Sequence, residues 1–142
     1  MAAVLGVNAT KAAAGFIGSN ILSQGQAGSG LKVMVDTYEA SALATASTIT
    51  MGTALPVGAT IVDVIFQWDD MGSTVTFKAG DAADDDRYIV ASTDVTTANG
   101  KASISNIAGR GYVITGTNDT QIIVTTAGTW TGTFSMTVLY AL

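Results

Sequence analysis

The chain has 142 residues, the size of one ordinary domain, with 48% hydrophobic residues, only 12% charged ones and a net charge of -5 at pH 7. It contains neither cysteine nor histidine, which excludes disulfides, thiolate zinc sites, thiol nucleophiles and any mechanism built on an imidazole base. Six basic residues placed singly give nucleic acid no positive stripe to bind.

Residues 1–30 are rich in Ala and Gly and carry a single charge, Lys11, with no sustained hydrophobic period. The start lacks the basic region of a secretory signal, and no apolar run approaches the ~20 residues of a membrane span. The chain therefore reads as soluble and unprocessed, with no membrane partner. Gly25-Gln26-Ala27-Gly28-Ser29-Gly30 has the composition of a hinge. Leu5, Phe16, Ile17, Ile21 and Leu22 nevertheless make this segment too apolar for a solvated tail. It is expected to be an extended arm that lies against its own domain or a neighbouring subunit.

From residue 31 the pattern changes to strands. Leu31, Val33 and Val35 alternate with Lys32, Met34 and Asp36 over 31–38. Further strands are expected over 47–51, 60–68, 73–79, 87–91, 112–115, 120–126 and 131–140, all enriched in Val, Ile, Thr and aromatics. Turn chemistry separates them: Leu55-Pro56-Val57-Gly58, Met71-Gly72-Ser73, Asn99-Gly100, Gly109-Arg110-Gly111, Asn118-Asp119 and Ala127-Gly128-Thr129. Short strands at regular spacing with no helix between them predict an all-β fold. The expectation is a single antiparallel β-sandwich or jelly-roll-like domain over 31–142, preceded by the arm over 1–30.

One charge cluster stands out, Gly80-Asp81-Ala82-Ala83-Asp84-Asp85-Asp86-Arg87. Carboxylates crowded on a loop suit a hard cation such as Ca²⁺, with Asp81, Asp84, Asp85 and Asp86 as candidate ligands. The EF-hand spacing is not met, and the favoured reading is a solvated turn whose charges discourage edge pairing. No bound metal or cofactor is expected. Arg87 is expected to pair with one of these acids or with an acid of an adjacent subunit. Asp69-Asp70 beside Trp68 raises a carboxylate-based glycosidase, yet adjacent acids in a turn do not span a cleft, and a capped turn is the simpler account. Trp68 and Trp130 are read as core or interface anchors, with sugar stacking as the alternative. No phosphate-loop pattern is present.

Four stretches carry a resemblance: 32–38, then Ala54-Leu55-Pro56-Val57-Gly58-Ala59-Thr60-Ile61-Val62-Asp63-Val64, then Thr74-Val75-Thr76-Phe77-Lys78-Ala79-Gly80-Asp81, then Asp84-Asp85-Asp86-Arg87-Tyr88-Ile89. Together they resemble small structural proteins of tailed bacteriophages. The resemblance implies a non-enzymatic virion component, foremost a capsid decoration (cement) protein. Such a protein is made in the host cytoplasm, binds the outer capsid surface and trimerises. It stabilises the head by bridging subunits of the major capsid protein. Leu5, Phe16, Ile17, Ile21 and Leu22 would then be the capsid contacts of the arm. The alternative is a head-fibre, tail or host-surface-binding component of the virion.

Overall fold

The computed structural model describes residues 30–117 and 120–142. The arm contacts expected at Leu5, Phe16, Ile17, Ile21 and Leu22 lie outside the described residues, as does nearly all of the 1–30 segment. Eight strands follow: β1 (Lys32–Leu43), β2 (Thr48–Leu55), β3 (Thr60–Trp68), β4 (Thr76–Gly80), β5 (Ile89–Asp94), β6 (Gly100–Ala102), β7 (Thr120–Ala127) and β8 (Trp130–Ala141). They form two four-stranded sheets, ordered β1-β8-β3-β6 and β2-β7-β4-β5, and every pairing is antiparallel.

This order has a simple origin. β1 pairs with β8, β2 with β7, β3 with β6 and β4 with β5, as in one long hairpin folded at the β4–β5 end. Wrapping that ribbon on itself brings β8 against β3 and β7 against β4, which closes each sheet. The result is the eight-stranded jelly roll, and the all-β sandwich expected from the sequence is what is found.

The core lies between the sheets and follows the period-two pattern wherever the strands are regular. On β7, Ile122, Val124 and Thr126 point inward; on β8, Phe134, Met136 and Val138 do so. β3 shifts phase. Ile61 is buried, a register irregularity lies between Ile61 and Asp63, and burial resumes at Val64, Phe66 and Trp68. A bulge of this kind inserts one residue and restores the apolar set to the core side.

Three expectations are corrected. Residues 112–115 are not a strand but a single bridge, Thr60 to Val113. Gly58, Ile61, Gly111 and Ile114 still exchange main-chain hydrogen bonds along that seam. β6 instead grows out of the Asn99-Gly100 turn, because Gly100 lies flat on the Trp68 indole, where a Cβ would collide with the ring. β1 runs to Leu43, well past residue 38, carried through weak strand formers by its pairing with β8. Its apolar face is also the outward one. Val33 and Val35 are 61% and 65% exposed, while Met34 and Tyr38 pack on the core and Ala40 is buried within it.

Candidate functional site

The acidic loop between β4 and β5 is built around one buried ion pair. The Asp81 side chain is 3% exposed and accepts a hydrogen bond from Arg87 Nε at 2.7 Å. It also accepts from the main-chain N–H groups of Ala83 and Asp84, at 2.9 and 3.0 Å. Asp84 lies 3.7 Å from the same guanidinium, which stacks 3.9 Å from the centre of the Tyr112 ring. Asp85 takes Lys78, and the Asp86 carbonyl accepts from the Asn106 side chain. The carboxylates of Asp81, Asp84 and Asp85 therefore face protein donors or cations. Among the described residues, no three acids converge as a metal site would require. Burial opposes the charged form of Arg87, but its hydrogen bond to Asp81 and the nearby negative charge outweigh this and raise its pKa.

The loop cannot lift away easily. Gly80 sits beneath it, with no room for a Cβ against the Asp84 carbonyl. Tyr88 N–H returns to the Ala79 carbonyl, and Tyr88's own carbonyl accepts from Ser105 and Asn106. The ionisable groups here tie β4, β5 and the 105–112 segment together.

Tyr88 is fully buried, and its hydroxyl has no partner among the described residues. Burial, reinforced by the charge of Asp81, pushes this phenol well above its ordinary value of 10. A proton held more tightly in the folded chain stabilises the fold fully below the unfolded value. That contribution is lost as pH rises beyond it. Stability is thus expected to fall above pH ~10 in the native chain and to fall less steeply in Tyr88→Phe. At neutral pH the Phe variant should be at least as stable, by about 0–1 kcal/mol, since an unsatisfied buried hydroxyl is removed. Urea titrations of both chains at about pH 7, 9 and 11, on either side of the ordinary phenol value, measure this; a loss above ~1 kcal/mol at pH 7 would mean the hydroxyl is bonded.

The other candidates are structural. Asp70 accepts from the Gly72 N–H, capping the turn after β3, and Asp69 lies against Gly132. Among the described residues, neither shares its groove with a second carboxyl. Trp130 is fully buried and Trp68 is 7% exposed, with its Nε1 donating to the Thr97 carbonyl. Both indoles pack within a cluster with Phe66, Phe77 and Phe134, so neither is a platform for sugar. An open groove of about 780 Å³ beside Asp70 is lined by Ser73, Thr74, Val75, Thr76 and Thr96, and Asp70 is the ionisable residue among the described ones that line it.

What the surface does present is apolar. Leu31, Val33 and Val35 on and before β1, and Ile107 at 90%, are exposed. The alternation over 31–38 marked two faces of β1, but nothing in it said that the apolar one would face outward.

No family model matches the chain, and no curated protein matches it. Solved structures do. A chain of the cyanophage Pam1 capsid asymmetric unit superposes with a TM-score of 0.68 at 26% identity, covering 80% of this chain and 86% of that one. A chain of the capsid of Ralstonia phage GP4 gives 0.62 at 20% identity, covering 78% and 83%. A chain from the acid-stable capsid of Helicobacter pylori bacteriophage KHP30 gives 0.57 at 14%, covering 79% and 87%. The last two show a shared fold. The resemblance to phage structural proteins read in the sequence is thus present in the three-dimensional structure as well.

Proposed function

We propose that this chain is a structural protein of a bacteriophage virion and, within it, a capsid decoration protein. It binds the outer shell, has the major capsid protein as its partner and stabilises the head by bridging subunits, as a homotrimer. The observation that carries the reading is the Pam1 capsid chain, similar over four-fifths or more of both chains. The chemistry of the surface supports it. Asp70 caps a turn and Asp81, Asp84 and Asp85 lie in ion pairs, while Leu31, Val33, Val35 and Ile107 are exposed apolar side chains suited to contact.

The work such a protein does is physical. Apolar area removed from water at a joint between capsid subunits stabilises that joint by about 25 cal/mol per Å², less the entropy of association. Repeated over a shell, modest contacts add up. The arm over 1–30, with Leu5, Phe16, Ile17, Ile21 and Leu22, supplies the apolar side chains for this docking in our reading. An arm ordered only on docking would lose entropy at that step.

Quantitative mass spectrometry of purified virions tests the assignment. A copy number near that of the major capsid protein, or a simple fraction of it, is expected for a protein that tiles the shell. A handful of copies per particle would instead place it at a vertex or in the tail.

A further inference from the structure

β1 is an outer strand of its sheet: β8 lies on one side and no described strand on the other. In an antiparallel ladder, the N–H and C=O of successive residues point alternately to the two sides. Thr37 N–H donates to the Asp36 carboxylate at 2.8 Å, and the other oxygen of that carboxylate accepts from the Gly52 N–H of β2 at 2.6 Å. Thr37 therefore belongs to the open side, and the alternation places the main-chain groups of Val33 and Val35 there too. Edges of this kind are templates for another strand unless blocked. β1 contains no proline, and the segment in question carries only Lys32 and Asp36 as charges.

The segment reads Lys32-Val33-Met34-Val35-Asp36, a charge, an apolar triplet and the opposite charge. We propose that β1 pairs antiparallel with β1 of a second copy of this chain, about a two-fold axis at Met34. Ladder parity narrows the choice of register. Open-side residues must face open-side residues, which leaves two-fold axes at Val33, Met34 or Val35 near the middle of the exposed stretch. An axis at Val33 sets Lys32 opposite Met34, and one at Val35 sets it opposite Tyr38. Only the axis at Met34 sets Lys32 opposite Asp36 of the second copy, twice. It also makes Val33 and Val35 exchange both main-chain hydrogen bonds, and it extends the outward apolar stripe across the joint.

Such a contact is isologous and joins copies in pairs. It goes beyond the decoration role, which invokes a partner of different sequence, and would link one trimer to the next.

The full chain has no cysteine, so single cysteines report the contact directly. Directly opposed Cα atoms in the wide, non-hydrogen-bonded position lie roughly 4.5 Å apart, within disulfide range. Met34→Cys is expected to oxidise to a covalent dimer at least about tenfold faster than the exposed control Ile107→Cys. Val35→Pro removes an N–H on the open side only and is expected to abolish pairing in sedimentation while leaving circular dichroism unchanged. Lys32→Glu should weaken it about tenfold or more by setting like charges opposite. A sedimentation profile that Val35→Pro leaves unaltered, whatever its stoichiometry, overturns the proposal. If that variant fails to fold, the cysteine comparison decides: equal rates for the two cysteines overturn it. Copy number in the virion bears on the decoration role alone, so the two readings fail separately.

Discussion

Truncating Phe77 to alanine is expected to destabilise the domain by about 3–5 kcal/mol, the range for a large aromatic removed from a core that cannot collapse. Phe77 is contributed by β4, and its ring meets Phe66, Trp68, Trp130 and Phe134 edge-on, at centroid distances of 5.2, 5.8, 6.1 and 5.1 Å. Those four rings all belong to β3 and β8 of the opposite sheet. Phe77 is thus the ring through which the second sheet engages the aromatic cluster of the first. Edge-to-face pairs add about 0.5–1.5 kcal/mol each beyond area burial, so the upper part of the range is favoured. Against a typical total of about 5–15 kcal/mol, this is a large fraction. Urea unfolding followed by tryptophan fluorescence measures it, with the midpoint lowered and the slope unchanged. A loss under ~1 kcal/mol would mean the sheets close over the gap.

Replacing Arg87 by alanine is expected to destabilise by a similar amount, about 3–5 kcal/mol, for a different reason. Asp81 is almost fully buried, and Arg87 is its cationic partner, itself only 13% exposed. Removing the cation strands a charge in the interior, and the penalty is that of the unpaired carboxylate more than the lost attraction. The double variant Arg87→Ala with Asp81→Asn should therefore recover part of the loss, because the neutral amide can still accept from Ala83 and Asp84. Thermal unfolding of the three variants checks the order. A double variant less stable than Arg87→Ala alone would show that the Asp81 charge is solvated and that the loop is held by its backbone bonds.

These two positions illustrate how unevenly the site could be read from residues alone. The acidic cluster was visible as composition, and so was the expectation that Arg87 pairs with a neighbouring acid. Its inward direction was not. Asp81 is buried by the return of Tyr88 to β4 and by Tyr112 beneath the guanidinium, and Tyr112 lies more than twenty positions downstream. The tryptophans were legible as anchors, but that both close one cluster depends on β3 and β8 being neighbours. The 112–115 segment had strand-like residues yet makes a single bridge, its main-chain hydrogen bonds divided between Ile61 of β3 and Gly58 and Ala59 just before that strand. β6 had turn chemistry and became a strand because Trp68 needs a glycine against its ring.

The amino-acid sequence by itself determined that the domain is all-β, since Val, Ile, Thr and aromatic residues at period two can bury only a pleated face. It placed β3 at Thr60–Trp68 to the residue, because a proline turn precedes it and Asp69-Asp70 follow it. It also removed the commonest catalytic equipment by omitting histidine and cysteine. The tertiary structure alone decided which face of β1 turns outward. Alternation defines two faces of a strand, but which one is covered depends on the sheet packed behind it. Here Met34, Tyr38 and Ala40 fill that space, and Val33 and Val35 are left at the surface, on an outer strand that has no second neighbour among the described strands.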